Sequence, residues 1–158
     1  MEDTALESVL ATMPNGTCPL PGVAAAGQPP AGAWAALKRA GARTVVDLRP
    51  ASEPRDHDEP AAVRAAGLDY VSLPVTQQTL DDAQFDAMRA LLRDPERRPI
   101  VVHCASSNRV GALLLPYFAL DAGESLDAAV QHAVRAGLRS SELAAMAVDY
   151  VRRHGATP

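Results

Sequence analysis

Cysteine, aromatic side chains and long apolar runs are all scarce in this chain. Its 158 residues hold two cysteines, one tryptophan, three tyrosines and two phenylalanines. Two cysteines cannot build a disulfide framework, so a small secreted scaffold stapled by bridges is excluded, and a cysteine placed in an unusual context reads as a functional thiol. No apolar stretch approaches the length that crosses a bilayer, and Met1-Glu2-Asp3 is acidic where a secretory signal would be basic. A basic stripe is missing as well. The formal charge is −4, and pairs such as Arg97-Arg98 and Arg152-Arg153 read as solvated surface, which argues against a nucleic-acid partner. A soluble, cytoplasmic protein with neither nucleic acid nor membrane as partner is the expectation.

What is present alternates. The length suits one domain over residues 1–158, with 1–19 expected as an irregular leader because Pro14, Asn15-Gly16 and Pro19 interrupt it, its first dozen residues being open to a helix or a loose segment. A short edge strand is expected around Leu20 to Ala25. Pro30 to Ala40 carries Trp34 and Leu37 at helical spacing, with proline near its start and Gly41 past its end. Arg43 to Leu48 is β-branched and apolar, a buried strand. Glu59 to Ala66 reads as a helix stopped by Gly67, and Leu68 to Val75 as a strand. Asp81 to Arg93 places Phe85, Met88 and Leu92 on one helical face. Ile100 to His103 is a further strand, followed by a helix from about Arg109 that Pro116 should kink or rearrange. Two more helices, Ser125 to Ala136 and Ser140 to Arg153, finish the chain. Strands alternating with helices, then helices alone, imply an α/β fold with a mostly parallel central sheet flanked by helices on both faces. In such sheets ligands bind outside the carboxyl ends of the strands.

One of those ends is chemically distinctive. The strand Ile100-Val101-Val102-His103 stops at Cys104, and Ala105-Ser106-Ser107-Asn108-Arg109 leads into the next helix. An ordinary thiol with pKa near 8.5 is only about 3% thiolate at neutral pH. Successive backbone N–H groups from Ala105 to Arg109, together with a helix N-terminus, can stabilise a thiolate and equally accept a tetrahedral oxyanion. Arg109 adds a planar guanidinium able to grip two oxygens at once. Ser106, Ser107 and Asn108 can donate further hydrogen bonds to a ligand or brace the loop. A cysteine on a strand is by itself an ordinary core residue. A core cysteine, however, needs neither a histidine before it, nor a turn of small polar residues after it, nor an arginine five positions on. Cys104 and Arg109 are therefore the candidate catalytic pair, His103 a supporting residue, and Ala105 to Arg109 a phosphate-type cradle.

His103-Cys104-Ala-Ser-Ser-Asn-Arg109 resembles the active-site loop of cysteine-dependent phosphatases of the protein tyrosine and dual-specificity kind. Those enzymes usually place five residues between cysteine and arginine, followed by Ser or Thr; here four intervene and Val110 follows. The shorter spacing resembles the bacterial beta-lactamase hydrolase-like phosphatase subgroup. Similar segments extend to Ala26-Gly27-Gln28-Pro29, Val46-Asp47-Leu48-Arg49-Pro50, Leu73-Pro74-Val75 and Ala136-Gly137-Leu138-Arg139-Ser140. The resemblance implies a protein tyrosine phosphatase-like fold and hydrolysis of a phosphate monoester through a phosphocysteine, without metal or other cofactor. A phosphorylated protein or small phosphorylated metabolite is the implied partner. It also implies an aspartic acid shortly after the strand ending at Leu73-Pro74-Val75, where this chain has Thr76-Gln77-Gln78. Asp81 and Asp82, which read equally well as an N-cap and a first-turn charge at a helix start, and, in the loop after Arg49-Pro50, Glu53 are the carboxyl candidates for proton donor. Two other readings use the same loop: a rhodanese-type sulfurtransferase, whose cysteine loop has this length, and a phosphate- or phosphoprotein-binding module without turnover.

Overall fold

The computed structural model describes residues 4–155. Five strands form one sheet: β1 (Thr17–Leu20), β2 (Val23–Ala26), β3 (Thr44–Asp47), β4 (Asp69–Ser72) and β5 (Ile100–His103), in the order β1-β2-β5-β3-β4. β1 and β2 are antiparallel, joined by a turn in which Gly22 takes a positive φ; the other neighbours run parallel. The irregular leader is corrected, its opening part taking the helical of the two forms open to it. Residues Thr4–Leu10 form helix α1, which buries Leu6 and Leu10, and β1 occupies Thr17–Leu20. The prolines at 14 and 19 did not prevent this, because one lies in the turn between the two elements and the other on an edge strand, where a missing N–H costs no ladder bond.

The sheet is covered on both faces. α2 (Ala33–Arg39) and α3 (Glu59–Ala65) join α1 on one face, burying Trp34, Leu37 and Val63 with Ala24, Val45 and Val101 of the strands. α4 (Asp82–Arg93), α5 (Asn108–Pro116), α6 (Leu126–Arg135) and α7 (Ser141–His154) lie on the other, over Ala25, Val46, Ile100 and Val102. β5 is central and wholly buried, so period-two alternation sends successive side chains into two different cores. Truncating Val101 or Val102 to alanine should cost roughly 2 kcal/mol through lost burial and a residual cavity.

Local chemistry sets the helix ends. Asp81 caps α4, its side chain accepting from Ala83 N at 3.0 Å, while Gln84 returns a bond to the Asp81 N–H at 2.8 Å. Asp58, Ser125 and Ser140 cap α3, α6 and α7. Pro116 does rearrange its helix: α5 ends there, and Tyr117–Asp121 continues as a π-helical turn closed by Ala122 N to Tyr117 O at 2.9 Å. Proline offers no N–H to the preceding turn, which releases the chain into the wider winding. No helix among the described residues is long and apolar enough to cross a membrane.

Candidate active site

The carboxyl ends of β2, β3, β4 and β5 open onto one place, and the loop from Cys104 to Arg109 lies across it. Cys104 N donates to Ala26 O at 3.3 Å, and Gln28 N donates to Ala105 O at 3.1 Å, fastening the loop to the end of β2. Gly27 is required at that seam, since a Cβ there would lie 2.8 Å from Ala105 O. The loop's far end is fastened to the α6–α7 connection. Ser107 adopts a left-handed conformation, φ 67° and ψ 3°, is fully buried, and donates its hydroxyl to Ala136 O at 2.6 Å. Asn108 Oδ1 accepts from Arg139 N at 2.7 Å and Ser140 N at 3.1 Å. Gly137, at φ 122°, passes so close that a Cβ would stand 2.6 Å from Ser107 Cβ. Ser107 and Asn108 thus brace the loop, one of the two roles open from sequence.

Cys104 is 1% exposed, at the floor. Arg109, in the first turn of α5, lies near enough to Cys104 for the two to act on each other's charge. Its NH1 donates to Val75 O at 3.0 Å and to Glu53 Oε2 at 2.5 Å, and its NH2 to Glu53 Oε1 at 3.1 Å. Burial opposes the Arg109 charge, but the Glu53 bonds and the negative field of Cys104 outweigh it, so the guanidinium is held more firmly protonated than an ordinary arginine.

Of the carboxyl candidates, Glu53 alone is brought to the loop. Asp81 is occupied as the α4 cap. Asp82 is paired with Arg153, at 2.7 and 2.8 Å, and that bonding to the α7 terminus holds it below the usual carboxylate range.

His103 points to the opposite face, and what it meets there was not legible in the sequence. Its Nε2 lies 2.5 Å from Glu59 Oε2, its Nδ1 3.4 Å from the Cys104 carbonyl, and its ring 5.9 Å from that of Trp34. Glu59, fully buried at the start of α3, also accepts from Arg49 NH2 at 2.9 Å and Gln28 Nε2 at 3.0 Å. Asp47, at the end of β3, accepts from Arg55 NH1 at 2.6 Å, Tyr70 OH at 2.7 Å and Arg49 Nε at 3.3 Å. Burial alone would raise the Asp47 carboxyl, but the facing His103, the Arg49 N–H, Arg55 and Tyr70 lower it to about 2. Asp47, Glu59 and His103 could offer ligand atoms within 4.8 Å of one another. Arg49 and Arg55 already supply the positive charge, so the arrangement fits an ion-pair network and not a metal site. The only sequence signal was two acids, Asp47 and Glu59, in otherwise apolar elements.

Residues 20–115 match the family model described as "Beta-lactamase hydrolase-like protein, phosphatase-like domain". A beta-lactamase hydrolase-like protein of Agrobacterium fabrum is 30% identical over 110 residues, 67% of this chain and 24% of that protein. The chain thus spans about a quarter of the length of that curated relative. Among solved structures, a putative phosphatase from Shewanella putrefaciens superposes with a TM-score of 0.79 at 22% identity, covering 94% of this chain and 99% of the other. TpbA of P. aeruginosa does so with a TM-score of 0.69 at 26% identity, covering 91% and 86%, and a variant of it has been solved in complex with pTyr. The likeness found is to phosphatases. With the family model covering β2 to β5 and the whole cysteine loop, the chain belongs to the beta-lactamase hydrolase-like protein, phosphatase-like domain family.

Proposed function

We propose that this domain hydrolyses a phosphate monoester through a phosphocysteine formed on Cys104. The observation that supports it most is Arg109 at the start of α5, held by Glu53 and the Val75 carbonyl at the end of the loop that begins at Cys104. In the first step the Cys104 thiolate attacks phosphorus, the P–O bond to the leaving group breaks, and the departing oxygen takes a proton from solvent water. In the second, water attacks phosphorus, the P–S bond breaks, and the thiolate is regenerated with inorganic phosphate. Arg109 and the loop amides bind the equatorial oxygens, whose charge grows in both transition states. His103 supports the loop from below through the Cys104 carbonyl.

Both Glu53 oxygens are already acceptors for Arg109, which suits a residue that positions the guanidinium better than one that donates a proton. Ser106 is the one loop hydroxyl at the outer side of the cradle, whereas Ser107 is committed to Ala136. The pTyr-bound relative makes a phosphotyrosine peptide the first protein substrate to try, with small phosphorylated metabolites alongside.

The test is hydrolysis of p-nitrophenyl phosphate by the purified domain, with thiosulfate and cyanide as a parallel assay. Phosphate release abolished in Cys104→Ser and cut severely in Arg109→Lys supports the proposal. Thiocyanate formation without phosphate release overturns it in favour of sulfur transfer. Phosphate binding by well-folded protein with no turnover between pH 5 and 8 overturns it in favour of a binding module.

A further inference from the structure

We infer that Arg139 forms a second anion subsite beside the cradle, and that the preferred substrate carries a second phosphoryl or carboxylate group near the scissile phosphate. This rests on the phosphatase reading above. Every other guanidinium around the site is neutralised: Arg109 by Glu53, Arg49 by Asp47 and Glu59, Arg55 by Asp47. Arg139 is different. It is exposed, and its partners among the described residues are neutral oxygens only: NH1 donates to Gly137 O at 3.0 Å, and NH2 to Ser106 Oγ at 2.8 Å and Ser106 O at 3.3 Å. The nearest acid along α7, Glu142, accepts instead from the hydroxyls of Ser140 and Ser141.

The placement is built, not incidental. The Arg139 backbone hangs on Asn108 Oδ1, and the preceding turn is locked against Ser107 by the Ala136 bond and by Gly137. Its side chain bridges to Ser106, a member of the cradle itself. A guanidinium has five N–H donors in a fixed plane, so the bonds described leave donors open to an anion. An uncompensated cation fixed next to an oxyanion cradle favours a ligand with charge in both places, and little ordering remains to oppose binding.

The experiment measures binding to the folded Cys104→Ser protein by calorimetry, which needs no turnover. Two matched pairs are used: a tyrosine phosphopeptide with and without a neighbouring phosphoserine, and fructose 1,6-bisphosphate against fructose 6-phosphate. At least one doubly charged member should bind about tenfold tighter than its partner, as expected for one added charge-assisted contact. Which pair shows it identifies the source of the second anion. Adding Arg139→Ala should bring the ratio to near one, and Arg139→Lys should keep part of it. The ratio cancels any general effect of the substitution on the cradle. Equal binding within both pairs, or a preference that survives Arg139→Ala, overturns the subsite. If p-nitrophenyl phosphate is hydrolysed while the ratios are one, the subsite alone fails. If there is neither hydrolysis nor binding of any phosphate, the phosphatase reading fails and takes the subsite with it.

Discussion

The two side chains at the end of β5 face opposite sides of one sheet and meet opposite kinds of surroundings. His103 enters a network in which Glu59, Asp47 and Arg49 are buried and Arg55, Tyr70 and Gln28 close it from partly exposed positions. Cys104 enters a loop whose N–H groups and single guanidinium are steadied from outside, by Glu53, by the α6–α7 turn and by the end of β2. One side has its charges matched internally and can serve only as a foundation. The other sets a guanidinium and a loop beside a cysteine, the arrangement that the proposed reaction calls for. Substitutions on the two sides should therefore fail differently, the first in stability and the second in rate.

The largest separation is expected from Cys104→Ser. Turnover should fall on the order of a thousandfold or more, because the weaker nucleophile has no base beside it, while the melting temperature stays within a few degrees. A variant that unfolds instead would place Cys104 in the foundation. Glu59→Ala should show the reverse emphasis. It strands Arg49 and His103 in a buried site, and removing one partner of such a pair costs about 3–5 kcal/mol. Urea denaturation measures this directly, and a loss under 1 kcal/mol would mean that the network contributes little.

The cysteine side was legible from the chain and the histidine side was not, for a physical reason. Cys104 to Arg109 is one continuous segment, so order along the sequence is order in space. The strand before it and the helix after it are announced by β-branched and periodic apolar residues. The network under His103 is assembled from Gln28, Asp47, Arg49, Arg55, Glu59 and Tyr70, which four connections bring together. Nothing in linear spacing marks Glu59 as buried, since a glutamate at the first turn of a helix is ordinarily a solvated dipole partner. The same reasoning explains Asp81, which is a cap. The leader misled because its prolines read as breakers, whereas Leu6 and Leu10 find a core supplied by Ala24, Trp34 and Leu37.

A pH titration of stability sharpens the contrast at the next level of magnitude. The Asp47 carboxyl sits at about 2 in the folded protein against 3.8 as the reference value. A depressed carboxyl stabilises the fold above its unfolded pKa, and that contribution disappears as the pH falls through the folded value. The structure should thus lose roughly 2 kcal/mol between about pH 5 and pH 2 from this group. Asp47→Asn should be less stable at pH 7 and show a flatter acid limb than the parent in chemical denaturation. An unchanged acid limb would show that the network does not hold Asp47 as described.

Glu53 is the place where the two sides come closest in kind, because it stands at the cysteine loop and behaves as Asp47 and Glu59 do, accepting from an arginine. If it only holds the guanidinium, Glu53→Gln keeps an acceptor but loses the charge, and kcat should fall by about tenfold. That loss should be equal for aryl phosphates whatever the acidity of the leaving phenol, since orientation of Arg109 affects the phosphoryl group and not the departing oxygen. A proton donor would behave otherwise: the defect would vanish for the most acidic phenols and grow steeply for the least acidic. Measuring kcat for parent and Glu53→Gln across a series of substituted phenyl phosphates separates the two. A constant ratio places Glu53 as the guanidinium's support, and a sloping one makes it the acid, a role for which Asp81, engaged as the α4 cap, and Asp82, paired with Arg153, are not free.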